Sequence, residues 1–208
     1  MKILVSYLGQ LRIYSLIDLI MLLVAIKATP FELIGVILLH VGFLAYLESQ
    51  HSHSYRKSVP KYLWITFVIP GMFLYGHFIF GILFIVCSFL YTLKNRNYFA
   101  IFSPLIRGLQ YFFLVGGIVG FQGQLPWIAL VVICARNLIG DIRDVIKDKE
   151  ENMKTIPVVI GFKKGFKYLY PVAVLATTLI WWNFTALPLW ILLSVFVVEV
   201  STYNLTSR

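Results

Sequence analysis

The sequence predicts an all-α integral membrane protein, a single domain built as a bundle of about eight transmembrane helices. Of its 208 residues, 60% are hydrophobic and 13% are charged. Soluble domains average about 45–50% apolar and about 25% charged residues. Lipid can cover this apolar surface, because helices of about 20 apolar residues cross a ~30 Å bilayer core with every backbone group paired. The basic residues also gather in alternate loops, as the topology of a membrane protein requires.

Eight apolar runs, bounded by charged residues, glycine and proline, mark the predicted helices. They cover about 8–28, 31–48, 61–76, 78–93, 103–121, 124–140, 166–184 and 186–203. Short connections at 28–30, 76–77 and 122–126 predict tight helical hairpins. The first run contains Arg12 and Asp18 and has no small-residue cleavage pattern. We therefore expect it to stay in the protein as a helix rather than to be removed as a signal peptide.

The net charge of +9 arises mainly from the loops. If the N-terminus is cytoplasmic, the opposite side of the membrane receives only Lys27, and the cytoplasmic side collects the remaining loop and terminal residues: Lys2, Arg56, Lys57, Lys61, Lys94, Arg96, Arg143, Lys147, Lys149, Lys154, Lys163, Lys164, Lys167 and Arg208. This asymmetry predicts a multi-pass protein of the cell membrane with its long polar loops in the cytoplasm. It also argues against nucleic-acid binding, because the charges do not line one soluble face.

The two cysteines, Cys87 and Cys134, fall inside apolar runs. A thiol in such a place behaves as a small hydrophobic group. We expect neither a disulfide nor a metal site there.

The polar loop after the sixth run, residues 141–165, carries the clearest chemical signal. Asp141, Asp144 and Asp148 are spaced i, i+3 and i+7, which predicts three carboxylates on one helix face. Like charges repel unless a cation lies between them, and oxygen ligands suit Mg²⁺, which takes a few carboxylates together with substrate phosphate oxygens. Interleaved basic residues would add charge-assisted hydrogen bonds to the same anion: Arg143, Lys147 and Lys154. The alternative is a solvated helix whose acids and bases pair along its surface.

The order of residues in this loop is more specific than its composition. The aspartates run into Thr155-Ile156-Pro157-Val158 and Gly161. This stretch resembles the second aspartate-rich motif of the UbiA superfamily of intramembrane prenyltransferases, in which Asp-x-x-Asp-x-x-x-Asp precedes a glycine, a basic residue and Thr-Leu-Pro ahead of a glycine. Asn152 stands in the place of the first of those glycines, and asparagine also adopts left-handed backbone conformations.

Other positions extend the resemblance over most of the chain. Arg12 matches the arginine of the family's first helix, and Tyr91 and Lys94 match its Tyr-x-x-Lys at the end of the fourth helix. The resemblance implies that these three residues bind the substrate's diphosphate. For Arg12 and Lys94 the alternative is a side chain that reaches the membrane surface. Because the family usually has nine helices, we expect a UbiA-like bundle that lacks the last one.

The family's first motif, Asn-Asp-x-x-Asp-x-x-x-Asp, is altered here. Its positions hold Leu47, Glu48, His51 and Tyr55. Glu48 and His51 lie one helical step apart and could bind a second cation, although imidazole favours softer metals than Mg²⁺. Equally, His51 could be a polar residue at the membrane surface.

The resemblance implies a Mg²⁺-dependent enzyme that transfers a prenyl group from a prenyl diphosphate to an aromatic or lipid acceptor. A non-catalytic protein of the same fold that binds isoprenoid or quinone lipids is the first alternative, because the first motif is altered. The second is a small transporter using Asp18 and Glu199, since acids inside a membrane are often functional. The nearly pure apolar middle runs argue against a transport path.

Overall fold

A computed structural model describes residues 12–50, 59–95, 97–166 and 168–203, and no strand occurs in these ranges. The helices are α1 Ile13–Ala25, α2 Pro30–Gln50, α3 Leu63–Tyr75, α4 Phe78–Thr92, α5 Ser103–Val119, α6 Gln124–Arg143, α7 Val145–Glu150, α8 Ile156–Ile160, α9 Leu169–Phe184 and α10 Leu189–Tyr203. Two 3₁₀ turns, Leu93–Asn95 and Asn97–Phe102, connect α4 to α5. The predicted all-α fold class is confirmed, and the eight longer helices coincide with the eight apolar runs.

The helices have the length and surface of a membrane bundle. Among the described residues, three segments are long and apolar enough to cross a membrane, Pro30–Gln50, Phe99–Val119 and Gln124–Arg143, and five other apolar helices are shorter. Phe73 and Ile79 are each 70% exposed, and many other large apolar side chains also point outward. So much exposed apolar surface is unfavourable in water and is stable against lipid.

The chain divides into two compact units. Met1–Gly81 together with Trp181–Arg208 forms the first, and Ile82–Ile180 forms the second. In the first unit α2 packs on α3, and α1 packs on α2 and α10. In the second unit α5 packs on α6, and the short α8 packs on α6 and α7.

The hinge residues form the turns that their types predict. Thr29 and Glu32 make a reciprocal capping box at the start of α2, in which the Glu32 carboxylate accepts from the Thr29 amide at 2.7 Å and the Thr29 hydroxyl accepts from the Glu32 amide at 3.3 Å. Gly76 ends α3 with φ 75°, a left-handed conformation that glycine adopts without strain. Gly123 precedes α6.

Close helix contacts in each unit depend on glycine. A Cβ atom at Gly35 of α2 would meet the backbone of Leu74 and Tyr75 in α3. A Cβ atom at Gly108 of α5 would lie 2.6 Å from the Leu130 carbonyl oxygen of α6. Small residues at such crossings let two backbones approach, which is how helices commonly associate in lipid.

We therefore predict that Gly35→Ser destabilises the protein by about 1–3 kcal/mol, the usual effect of forcing an extra group into a packed interior. The matched control is Gly123→Ser, because nothing lies within 4 Å of a Cβ atom there and serine is a favoured residue before a helix. Thermal unfolding of both variants in detergent checks this. A Gly35→Ser protein as stable as the Gly123→Ser protein would contradict the helix contact.

Candidate active site

The aspartate-rich segment folds as two short helices joined by turns. α6 ends at Arg143, Asp144 adopts φ −91° and ψ 8°, and α7 begins at Val145. The three aspartates therefore do not lie on one unbroken helix. The segment bends at Asp144 and returns towards α6, where Gly165 lies against the Arg143 carbonyl.

Backbone hydrogen bonds close the ends of both short helices. Asn152 follows α7 with φ 56°, and the Met153 amide donates to the Asp148 carbonyl at 2.7 Å. Gly161 follows α8 with φ 94°, and the Phe162 amide donates to the Pro157 carbonyl at 2.9 Å. Both are Schellman motifs, which need a left-handed residue just after the helix. Asn152 thus adopts the left-handed conformation predicted from its place in the motif.

Lys94 and Asp141 form the centre of the site. The Lys94 ammonium donates to one Asp141 carboxylate oxygen at 2.5 Å, and the Ser103 hydroxyl donates to the other at 3.2 Å. Asp141 and Ser103 are buried. Burial lowers the pKa of Lys94, but Asp141, Tyr91 and Asp148 raise it, and the net pKa lies above its ordinary value. The ammonium is therefore held in its charged form next to the carboxylates.

Asp148 is the second buried carboxylate of the site. It is 2% exposed and accepts a hydrogen bond from the Thr155 hydroxyl at 2.9 Å. Burial raises the pKa of Asp148, Lys94 lowers it, and the negative charges of Asp141 and Asp144 raise it, with a net value of about 6. Two carboxylates thus act on one ammonium, and an additional positive charge nearby would stabilise the ionised Asp148.

The third aspartate and the interleaved basic residues pair along the surface of the segment. Asp144 accepts two hydrogen bonds of 2.6 Å from the Arg143 guanidinium. Lys147 lies 3.4 Å from the Glu151 carboxylate. Lys154 is half-buried, one residue before Thr155. Asp144, Arg143 and Lys147 thus pair with residues of their own segment, while the charges of Asp141 and Asp148 both act on Lys94.

Within the described ranges, no three His, Cys, Asp or Glu side chains already form a group that could hold a metal ion. The donors nearest to such a site are the oxygens of Asp141 and Asp148, the ligand type that Mg²⁺ prefers. Asp144 would have to leave Arg143 before it could join them. The fit to Mg²⁺ therefore rests on two buried carboxylates, Asp141 and Asp148, and on a third, Asp144, that is paired with Arg143.

The residues at the altered first motif belong to the first unit. Glu48 is buried on α2, and its carboxylate lies 3.7 Å from the Arg12 guanidinium. Leu47 beside it is also buried. His51 lies outside the described residues, so its predicted role as a metal ligand stays a prediction. Arg12 and Glu48, predicted to bind diphosphate and metal respectively, form an ion pair.

Three polar residues to which the sequence analysis gave no role of their own take part in the site. Ser103 and Thr155 each donate to one of the buried carboxylates. Asn137 accepts a hydrogen bond of 3.2 Å from the Tyr91 hydroxyl. Asn137 lies four residues before Asp141 and therefore shares its face of the helix. This spacing could have predicted that Asn137 belongs to the site.

A comparison with curated proteins agrees with the motif. The chain is similar to the digeranylgeranylglyceryl phosphate synthase of Methanosphaera stadtmanae, with 32% identity over 95 residues. This similarity supports a UbiA-like relationship. The matched region covers 41% of this chain and 34% of the synthase, about a third of the relative's length. No family model matches the chain. No solved structure matches it.

The raised pKa of Asp148 predicts a pH-dependent stability in buffer free of divalent cations. Because the folded pKa of about 6 lies above the ordinary 3.8, folding favours the protonated acid. This stabilisation is complete below pH 3.8 and is lost as the pH rises through 6. The difference between the two pKa values corresponds to about 3 kcal/mol in the free energy of unfolding.

Asp148→Asn, which keeps an acceptor for Thr155, should therefore be more stable than the natural protein at pH 8 and gain little at pH 4. Thermal unfolding across this range gives the comparison. Glu150→Gln, on the exposed side of the same helix, is the matched control and should leave the change of stability with pH as it is in the natural protein. If stability changed with pH equally in the natural protein and in Asp148→Asn, the buried, carboxylate-rich environment of Asp148 would be contradicted.

Proposed function

We propose that the chain transfers a prenyl group from a prenyl diphosphate to an acceptor inside the membrane. The observation that carries the proposal is the Lys94 ammonium, which donates to the buried Asp141 carboxylate and is also acted on by the negative charge of the buried Asp148. The aspartate-rich motif and the similarity to a prenyltransferase support the same reaction.

Lys94 would bind the diphosphate. Its ammonium lies at the end of α4, where it donates to the Asp141 carboxylate. On binding, a phosphate oxygen of the substrate would replace that carboxylate as the acceptor. Tyr91 lies one helical turn before it with its hydroxyl on Asn137. Arg143, Lys147 and Lys154 would supply further positive charge from the aspartate-rich segment, and Arg12 stays a predicted diphosphate ligand.

Asp141 and Asp148 would hold Mg²⁺, with Asp144 joining when its pair with Arg143 opens; Glu48 and His51 stay proposed ligands for a second cation. When bound, Mg²⁺ would neutralise charge on the diphosphate. The chain's own part is to place Lys94 where the bond between the prenyl carbon and the diphosphate oxygen breaks. The diphosphate leaves with the electron pair, and the allylic cation then alkylates the acceptor, which loses a proton.

The apolar helices would protect this cation from water. Lysine and metal charges stabilise the leaving group most strongly where water is excluded, and an apolar bundle provides such surroundings. The isoprenoid tail would lie among the helices and reach lipid. For the acceptor, the chemistry leaves open a quinone-precursor ring, a tetrapyrrole side chain, a sugar phosphate and a phosphorylated glycerol lipid. The name of the Methanosphaera synthase contains a glyceryl phosphate, which favours the last of these.

A second function is favoured by one observation at the altered first motif. Glu48 is already paired with Arg12, and Leu47 is buried where the family has asparagine. A protein that had lost its first metal site could still bind an isoprenoid or quinone lipid. Tight binding of such a lipid without Mg²⁺, together with no transfer, would distinguish this function from the enzyme.

The decisive assay uses purified protein, Mg²⁺ and a panel of prenyl diphosphates, with diphosphate release measured with and without candidate acceptors. We expect release to need both Mg²⁺ and an acceptor. Asp141→Asn, which keeps the size and the hydrogen bond to Lys94 but removes a charge, should lower the rate at least about 100-fold.

Lys149→Gln is the matched control for charge, because Lys149 lies on the exposed side of the segment and donates to the Phe162 carbonyl at 2.6 Å. We expect it to keep most of the activity. If Asp141→Asn releases diphosphate as fast as Lys149→Gln does, the aspartate-rich site does not carry the reaction.

The distribution of lysine and arginine also predicts that both polar loops lie in the cytoplasm. After Cys87→Ala and Cys134→Ser remove the natural thiols, Ser52→Cys, Arg96→Cys and Glu150→Cys should label with a membrane-impermeant reagent only from the cytoplasmic face. Gln122→Cys should label from the other face. Labelling of positions 52 and 150 from opposite faces would contradict the proposed topology.

A further inference from the structure

A short segment between α8 and α9 exposes basic and apolar side chains together. Residues 159–168 contain three lysines and no aspartate or glutamate, and we call them the lysine turn. Lys163 and Lys164 are exposed, and neither ammonium pairs with a carboxylate of the described residues. Large apolar side chains on both sides of these lysines are exposed as well: Val159, Ile160, Phe166 and Tyr168. Positive charge and apolar surface therefore lie side by side in ten residues.

The lysine turn lies at the ends of two apolar helices of the second unit. α9 begins at Leu169, directly after the turn. A Cβ atom at Gly165 would collide with the Arg143 carbonyl oxygen, so the turn packs on the last residue of α6. α6 is long and apolar enough to cross a membrane. A segment at the end of such a helix lies where the hydrocarbon core meets the lipid headgroups.

The two exposed lysines occupy a loop whose ends are joined. The rings of Phe162 and Phe166 contact each other edge to face, with centroids 6.3 Å apart. The Lys149 ammonium donates to the Phe162 carbonyl at 2.6 Å, which connects the turn to α7. Lys163 and Lys164 therefore extend from one short surface beside the aspartate-rich segment.

This combination of side chains fits an anionic lipid surface. At the boundary of a bilayer, aromatic and aliphatic side chains enter the acyl region while ammonium groups stay among the headgroups. Water would leave Ile160 and Tyr168, which are 69% and 88% exposed, without apolar contacts. A neutral lipid surface would give the lysines no counter-charge. One lysine near an anionic surface strengthens binding about fivefold, which corresponds to about 1 kcal/mol.

We propose that the lysine turn binds anionic phospholipid. Lys163 and Lys164 contact the charged headgroup, and Ile160 and Tyr168 lie among the upper parts of the acyl chains. Because Lys149 joins the turn to α7, a bound lipid also slows the opening of the backbone that carries Asp148. The lipid binds whether or not the chain transfers prenyl groups.

The test measures lipid binding to the purified full chain in a neutral detergent by native mass spectrometry. The probes are phosphatidylglycerol, which is anionic, and phosphatidylcholine with the same acyl chains, which has no net charge. We expect phosphatidylglycerol to bind at least about tenfold more tightly, because two lysines act on its headgroup. Excess inorganic phosphate should not displace it, since a free anion makes no apolar contacts.

Lys163→Gln/Lys164→Gln should weaken phosphatidylglycerol binding at least about tenfold and leave phosphatidylcholine binding unchanged. Lys163→Arg/Lys164→Arg keeps both charges and should keep the affinity within about twofold. The matched control is Lys27→Gln/Lys61→Gln, which removes two exposed lysines elsewhere and should also stay within about twofold. All these side chains are exposed, and thermal unfolding without lipid confirms that each variant folds.

Hydrogen exchange gives a second readout at the aspartate-rich segment. Phosphatidylglycerol should slow amide exchange in α7 and α8 of the natural protein but not of Lys163→Gln/Lys164→Gln. Equal slowing in both proteins would overturn the link between the lysine turn and α7.

Three results of the binding measurement overturn the proposal. The first is equal phosphatidylglycerol affinity in the natural protein and in Lys163→Gln/Lys164→Gln. The second is an equal loss in Lys27→Gln/Lys61→Gln, because any exposed lysine would then serve. The third is displacement of the lipid by inorganic phosphate, which would make the turn a site for free anions.

Discussion

The buried contact between the Lys94 ammonium and the Asp141 carboxylate is the interaction on which the second unit's polar interior depends. It joins the end of α4 to the end of α6 across 47 positions of sequence. Removing one partner of a buried ion pair costs about 3–5 kcal/mol, because it leaves the other charge uncompensated. Ser103, Asp148 and Thr155 all take their places around this pair. The site is thus built around this charge pair.

The helices were predictable because few backbone structures are stable in a membrane. Backbone groups in lipid must be paired internally, so each apolar run becomes a helix and its ends fall at charges, glycines and prolines. The left-handed conformation of Asn152 was predictable for a different, local reason: it stands where the motif has glycine, and asparagine also adopts this conformation. Three of the described helical segments reach a full span length, however, and α3 is shorter than the run that predicted it.

The arrangement of the aspartates was less predictable. Their spacing implies one face of an unbroken helix, but α6 ends at Arg143, and the four residues from Asp141 to Asp144 contain neither glycine nor proline to signal this. The pairing of Lys94 with Asp141 is a long-range contact that no local pattern encodes. The buried Arg107 and Gln110 could have been noticed in the sequence, because these two polar residues interrupt an apolar run three residues apart. Charged residues inside a membrane are rare and commonly functional.

The two Schellman motifs of the aspartate-rich segment have a consequence for ligand affinity. The bend at Asp144 and the turns after α7 and α8 are closed by main-chain hydrogen bonds, and Lys149 ties α7 to the Phe162 carbonyl. The backbone that carries Asp148 and Thr155 therefore has its shape before a diphosphate arrives. A ligand then has only side chains to order, and the conformational entropy of some twenty backbone residues does not count against its binding.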